Sequence, residues 1–236
     1  MPLNFDSLLL WRDDAFQSGA LHMARDEAIL KISDRPTLRF YHWREPEVTI
    51  GFFTPFRTVA ERREAITRRW TGGGVVEHGS DLTFALTLPR SLLIPGQRAS
   101  DRYQWIHESL ADALQETGYS SAVPSPSPTS GAIEPIHPGF CFSDPVSWDV
   151  MCRDTGRKLA GGAQRVGREG MLHQGSVRLP SPWNRIDHPW IDGFARNLCG
   201  ARPVIELPEP LKQEVDILGA KLAAERYSNP AWLHRR

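Results

Sequence analysis

The chain has 236 residues, enough to bury a sizeable core in one α/β domain or in two small ones. Lys and Arg total 28 and so do Asp and Glu, so no global field draws nucleic acid or anionic lipid, and neither is expected as a partner. Three cysteines, at 141, 152 and 199, are odd in number and fit no metal-ligand spacing, which predicts free thiols in a reducing, cytoplasmic setting and no bound metal.

The N-terminal stretch MPLNFDSLLLWRDD has a short apolar run and no basic start, so it reads as a first strand rather than a leader. No stretch approaches the roughly 20 apolar residues that a membrane span needs. Ser18 is a candidate cap for a helix over about 19–32, with Leu21, Ala24 and Ala28 at helical spacing and Arg25, Asp26 and Lys31 elsewhere on the wheel. The β-branched and aromatic runs 37–43 (TLRFYHW) and 48–53 (VTIGFF) predict paired strands around the Arg44-Glu45-Pro46 turn. A short helix is expected over 59–66, then the Thr71-Gly72-Gly73-Gly74 loop. A half-buried strand follows in which Leu82, Phe84, Leu86 and Leu88 alternate. Ser100 caps a predicted helix over 101–117, where Tyr103, Ile106, Leu110, Ala113 and Leu114 form one stripe and Gly118 ends it. The proline- and serine-rich stretch 124–138 resists regular structure and reads as a mobile loop entering a site. Three antiparallel strands are predicted from SWDVMCR, RKLAGGAQRV and MLHQGSVRL, and Pro208 opens a last helix bearing Leu211, Val215, Leu218 and Leu222.

Several residue types in this order carry chemistry. Gly72, Gly73 and Gly74 remove every Cβ from a loop, which lets backbone N–H groups approach a ligand; a plain hairpin turn explains them equally well. Arg68 and Arg69 just before it suit either a carboxylate or phosphate ligand or an ordinary ion pair. Lys158 stands beside Gly161 and Gly162, so its ammonium can meet a polarised carbonyl that lies close to the backbone; the alternative is an exposed lysine after a turn. Cys141 becomes a nucleophile if a nearby cation such as Lys158 favours its thiolate, and is otherwise an inert buried thiol, as Cys152 and Cys199 are expected to be. His78 and His173, each near a glycine-rich element, are candidates for proton transfer or for plain structural hydrogen bonds. Asp81 and Asp149 are read as turn or strand-edge residues. There is no G-x-S-x-G elbow and no Ser-His-Asp order.

Six blocks recur in one order: HMARDEAIL (22–30), PTLRFYHW (36–43), VTIGFF (48–53), RRWTGGGVVEHGSDLTFAL (68–86), GRKLAGGAQ (156–164) and LHQGSV (172–177). From about residue 8 onward the chain resembles the catalytic domain shared by lipoate-protein ligases, octanoyltransferases and biotin-protein ligases. The resemblance implies one catalytic domain over 1–236. Its fold would be α/β, with a mixed, mainly antiparallel sheet flanked by helices and the triple-glycine loop and GRKLAGG strand enclosing an acyl chain. Biotin ligases carry a basic G-R-G-R-x-G-R-like loop where this chain has RRWTGGG, which disfavours that branch. Lipoate ligases typically have a G-R-N-D-like segment before the lysine strand and often a C-terminal accessory domain. Octanoyltransferases that proceed through a thioester carry C-F-x-x-P-S-W-like residues; here Cys141-Phe142-Ser143-Asp144-Pro145-Val146-Ser147-Trp148 has one extra residue, and no accessory domain follows.

The resemblance to such octanoyltransferases implies transfer of an octanoyl or lipoyl group from acyl carrier protein, through a Cys141 thioester, to a lysine of a lipoyl domain or glycine-cleavage H protein, without a cofactor. Lys158 would contact the acyl carbonyl. Arg69, Gly72, Gly73, Gly74, His78, Gly161, Gly162 and His173 would contribute to substrate binding. The alternatives are an ATP- and Mg2+-dependent lipoate ligase, in which Arg69 and Lys158 hold a lipoyl-adenylate, and a non-catalytic domain that binds acyl- or lipoyl-proteins.

Overall fold

The computed structural model describes residues 5–125 and 145–235. Its strand-forming runs assemble one eight-stranded sheet in the order β11-β1-β2-β6-β10-β9-β8-β7 and one three-stranded sheet, β4-β3-β5. The large sheet is built from β1 (Leu8–Gln17), β2 (Thr37–Trp43), β6 (Leu82–Pro89), β7 (Ala122–Pro124), β8 (Val150–Cys152), β9 (Lys158–Val166), β10 (Gly170–Val177) and β11 (Val204–Glu206). The small sheet contains β3 (Glu47–Ile50), β4 (Ala65–Arg68) and β5 (Val75–Glu77). β1 pairs in parallel with β2 and β11, and the other ladders of the large sheet are antiparallel. The mixed, mainly antiparallel α/β architecture is thus present.

Helices α2 (Ala99–Glu116) and α3 (Trp190–Cys199) cover one face of the large sheet, where Phe40, Phe84, Leu86, Ile106, Leu110, Trp190 and Phe194 form the larger core. The other face carries α1 (Gly19–Ile32) and α4 (Glu209–Leu222), with Trp11, Met23, Ile29, Tyr41 and Val215 packed between them. The chain continues through a π-helical turn at Ala223–Tyr227 into the short α5 (Pro230–Leu233), which lies against β4. No helix among the described residues is long and apolar enough to cross a membrane.

Several local expectations are corrected. Residues 59–66 are not helical: a 3₁₀ turn spans Phe56–Thr58, and Ile66 and Thr67 pair in β4 beside Val48 and Thr49 of β3. That pairing gives the β-branched residues a sheet partner, which a short isolated helix lacks. Ser18 occupies the cap position of α1, but Glu47 does the capping: its carboxylate accepts the Gly19 N–H at 2.9–3.0 Å. A negative group there also suits the helix dipole. α2 starts at Ala99, which puts Ser100 inside its first turn. Gly118, with φ +100°, ends it as foreseen. Strand β3 stops at Ile50 because Gly51 must pass the glycine loop; a Cβ there would lie 1.9 Å from the Gly73 carbonyl oxygen.

Arg25 and Asp26 of α1 are buried rather than turned to solvent. Arg39, without exposed surface, donates Nε and Nη2 to Asp13 at 3.0 and 2.5 Å and Nη1 to Asp26 at 2.6 Å. Arg25 adds a 2.8 Å bond to Asp13 and reaches Asp216 of α4 at 2.9 Å. His22 completes the cluster. Burial, then the Arg39 charge, hold its pKa well below the ordinary value, and the neutral ring accepts from Arg39 at Nδ1 while donating Nε2–H to the His42 carbonyl. A helix facing a sheet through charges needs this saturation, because an unpaired buried charge costs several kcal/mol.

Candidate functional site

The glycine loop is held from behind by a directed chain of hydrogen bonds. Arg69 donates Nη2 to the carbonyls of Gly72 and Gly74 at 2.9 and 3.1 Å and Nη1 to the Thr49 hydroxyl at 2.6 Å. His78 donates Nδ1–H to the Asp81 carboxylate at 2.8 Å, which leaves Nε2 of the neutral ring to accept from that hydroxyl at 2.8 Å. Asp81 also accepts from the hydroxyls of Thr83 and Ser176 and from the Gly79 N–H. Burial works against its charge, but these donors outweigh it and keep the carboxyl well below the ordinary range. His78 itself stacks on Trp43 at 3.8 Å, and burial lowers its pKa. Both ring nitrogens thus serve the fold of the loop, and Asp81, in the bend just before β6 as expected, is also a buried hub.

A second tether fixes the loop from the large sheet. The Thr71 hydroxyl donates to Gln174 Oε1 at 2.7 Å, and Gln174 Nε2 donates to Asp26 at the same distance. Gly73 adopts φ +84°, a conformation that favours glycine, and a Cβ at Gly72 would meet nothing within 4 Å. The loop is therefore anchored at its ends and open at Gly72.

Lys158 starts β9 at the point where the neighbouring strand ends. β8 pairs with β9 only at Lys158 and Ala160, and beyond that side chains take over the outer edge: Gly162 N–H donates to the Tyr103 hydroxyl at 2.9 Å. Tyr103 donates in turn to Asp149 Oδ1 at 2.5 Å, while Asp149 Oδ2 accepts the Val146 N–H and the Lys158 ammonium, both at 2.7 Å. The lysine is buried, not exposed after a turn, and Asp149, at the edge of β8 as expected, is also its fully buried counter-ion. Gly161 leaves room for this pair: a Cβ would lie 2.3 Å from Lys158 Cε and 2.5 Å from Nζ and would displace the ammonium. Trp148, just before Asp149, holds φ +71°, unusual for a bulky residue.

His173 has no exposed surface; its ring stacks on Phe84, lies 5.4 Å from that of Tyr103, and sets its Nε2 3.4 Å from His107 Nε2. Burial lowers it to about 3, so it is neutral at physiological pH. Gly162 is pressed against it, a Cβ there falling 2.5 Å from Nε2. His173 thus backs the lysine site from inside the core. The structure brings Lys158, Gly161, Gly162 and His173 together and groups Arg69, the three glycines and His78 separately, with Thr71 and Gln174 joining the second group to β10. Cys141 and the greater part of the 124–138 stretch lie outside the described residues. Tyr103, Asp149, His107, Thr49 and Gln174 were not anticipated as site residues. Of these Tyr103 and His107 left a signal, standing one helical turn apart on α2 with rings stacked at 4.0 Å.

Residues 18–217 match the model of the lipoyl protein ligase A/B catalytic domain. The chain belongs to this family. Members of the lipoyl protein ligase A/B family similar to it include octanoyltransferase LipM of Bacillus cereus (29% identical, covering 69% of this chain) and of Moorella thermoacetica (33%, covering 72%). The chain spans 62% of the length of the first and 65% of the second. The LipM of Brevibacillus brevis aligns over 93% of this chain and 96% of its own length at 27% identity. Among solved structures, a bipartite lipoate protein ligase from Thermoplasma acidophilum superposes with TM-score 0.70 at 18% identity, over 98% of this chain and 97% of its own. A lipoate-protein ligase A bound with ATP gives 0.65 at 19%, over 97% and 98%. These likenesses establish the fold.

Proposed function

We propose that the protein transfers an octanoyl or lipoyl group to a specific lysine of a lipoyl-accepting protein, with Cys141 as the intermediate acyl carrier. The observation that supports it best is the buried Lys158–Asp149 pair, 2.7 Å apart beside Gly161, in a chain whose relatives are named octanoyltransferases. In the first step the Cys141 thiolate attacks the carbonyl of an acyl thioester on acyl carrier protein. The sulfur–carbon bond forms, the oxyanion is stabilised by the Lys158 ammonium, and collapse expels the carrier's thiolate, which takes up a proton. In the second step the neutral ε-amine of the acceptor lysine attacks the enzyme thioester. An amide forms, Cys141 leaves as thiolate, and the amine loses one proton.

In this reading Asp149 and Tyr103 hold the lysine in place, and Gly72, Gly73, Gly74, Gly161 and Gly162 line the acyl chain. Arg69 and His78 shape the loop, and His173 backs the wall. The acceptor would be a lipoyl domain or glycine-cleavage H protein, and the setting the cytoplasm. No cofactor is required on this route. A ligase route would instead need ATP with Mg2+, with Arg69 and Lys158 on an acyl-adenylate; the fold shared with an ATP-bound ligase favours keeping it as the second reading.

Incubation of the full chain with octanoyl-carrier protein, followed by intact-mass measurement, decides. A covalent octanoyl adduct lost in Cys141→Ser and discharged by a lipoyl domain is the expected result. Product formed only with ATP and free lipoate would replace the thioester route by the ligase. Neither adduct nor product would leave a non-catalytic binding domain.

A further inference from the structure

Beside the glycine loop lies a surface that the acyl chemistry does not use. Phe53 is 78% exposed and meets the ring of Phe52 edge-on at 4.9 Å. Phe52 is flanked by two guanidiniums: Arg165 of β9 and Arg235 after α5 each place Cζ 3.9 Å from its ring centroid. Arg165 also covers Trp70 at 4.7 Å, and Arg235 covers Trp232 at 4.9 Å. The arrangement is continuous with the loop, since Phe52 N–H donates to the Thr71 carbonyl at 2.8 Å and Arg165 Nη1 to that of Trp70 at 3.1 Å.

The charge of this surface is unbalanced. After burial, Arg235 disfavours the charge of both Arg68 and Arg165, and Arg226 adds to the effect on Arg165. The carboxylate opposing them, Glu27, is already held by Arg226 and by Lys31. Arg68 spends its donors on the carbonyls of Gly51, Phe52, Thr54, Trp232 and Leu233. Among the described residues no salt bridge engages Arg165 or Arg235. In a chain whose formal net charge is zero, two guanidiniums stacked on one phenylalanine next to an exposed second one make a local cationic, aromatic ridge. Arginine and aromatic side chains with a charged rim are the composition of a protein-docking hot spot.

We infer that Phe53, Arg165 and Arg235 dock the acceptor protein through carboxylates that flank its target lysine. This rests on the proposed acyl transfer and deepens it. The acceptor is favoured over the donor because both the thioester and the adenylate routes require it. A lysine brought to a cationic rim also needs carboxylates of its own protein to offset the repulsion.

The test uses the full chain, a lipoyl domain as acceptor and octanoyl-carrier protein as donor. Phe53→Ser, Arg165→Gln and the double variant Arg165→Gln/Arg235→Glu are compared with the parent after thermal melts confirm that each is folded. Phe53→Ser, at an exposed site, guards against loss of folding in the others. The expected result is a rise in KM for the lipoyl domain of about tenfold or more, a flatter salt dependence in the charge variants, and an unchanged rate of acyl-adduct formation from the carrier. Partial recovery by an acceptor whose flanking carboxylates are replaced by lysines would support the pairing with the charge-reversed enzyme. Product formed by the parent with acceptor KM unaltered in all variants overturns the docking surface alone. A rise confined to the carrier's KM reassigns it to the donor and also overturns it. No adduct and no product from the parent removes the acyl-transfer reading first, and the docking inference with it.

Discussion

Among the described residues, two buried ion-pair clusters centred on Arg39 and Lys158 stand on strands of one sheet and differ in what surrounds the cation. Arg39 gives Nε, Nη1 and Nη2 to Asp13 and Asp26 and has a further donor bond to the His22 carbonyl at 3.2 Å, all under α1 and α4. Lys158 is paired with Asp149 where β8 stops and the edge of β9 is closed by Tyr103 rather than by a strand. A planar five-donor group saturated in the middle of a sheet locks secondary elements together, whereas a compact ammonium at an interrupted edge is, in the function proposed above, the group that meets an incoming oxygen. Burial and charge are common to both; the difference in local topology is what assigns one to the scaffold and, in the proposed function, the other to the site.

Arg39→Met tests the scaffold side most severely. It leaves Asp13 and Asp26 facing each other's surroundings without their shared cation, and a loss of about 3–5 kcal/mol in unfolding free energy is expected from urea melts. The molecules that remain folded should turn over at close to the parental rate. Lys158→Met is the complement: turnover should fall about 100- to 1,000-fold, the scale of removing one oxyanion donor, while the urea midpoint moves less than for Arg39→Met. Asp149 then keeps the Tyr103 hydroxyl and Val146 N–H as donors. Equal behaviour of the two variants, both losing stability with activity in proportion, would erase the distinction.

The same contrast explains how much was legible in the sequence. Lys158 and its glycines were visible through the GRKLAGGAQ block that carries the family resemblance, since a lysine after a turn reads by itself as exposed, and the meander was visible from the turns at Asp154-Thr155-Gly156 and Gly167-Arg168-Glu169-Gly170. Asp149 was not, because its role depends on a chain reversal that brings Tyr103 of α2 to the edge of β9, a contact between residues 46 apart. The amphipathic reading of α1 failed for a related reason: Arg25 and Asp26 look like a solvated face until Asp13 and Arg39, from two different strands, are set opposite them. Helix α3 carries Trp190, Ile191, Phe194 and Leu198 on one face, but Gly193 and the prolines upstream mask its start. Hydrophobic spacing reports which face is buried; partners for buried charge are set by topology.

Acid should act on the core behind the lysine. Burial lowers His173 to about 3, against an ordinary histidine value near 6.5. The folded form therefore stays neutral while the unfolded chain takes up a proton, so the contribution of this residue to stability is complete above about pH 6.5. It is lost as the pH falls toward 3, by up to about 1.4 kcal/mol per pH unit. His173→Phe, which keeps the stack on Phe84, should flatten the decline in melting temperature between pH 7 and pH 5. Some decline should remain, because His22 in the Arg39 cluster and His107 beside His173 are lowered in the same direction by burial. A profile unchanged by His173→Phe would mean that acid enters through the other buried histidines, His22, His78 and His107.

The smallest change in stability belongs to the glycine loop, where the alternatives of ligand cradle and plain turn can be separated. Gly161→Ala would drive a methyl into Lys158 and Asp149 and so cannot tell a disrupted ion pair from a blocked acyl path. Gly72→Ala can: its φ lies outside the left-handed region and a Cβ would touch nothing within 4 Å. Folding should therefore be unchanged or improved by about 0.4–1 kcal/mol, since alanine restricts the unfolded chain. If the space beside Gly72 is where the acyl group lies, the same methyl must raise KM for the octanoyl donor while leaving the urea midpoint level or higher. A stabilised protein with an unaltered KM would make the three glycines a turn held by Arg69 and Thr71 and would move the acyl chain to the lysine side of the molecule.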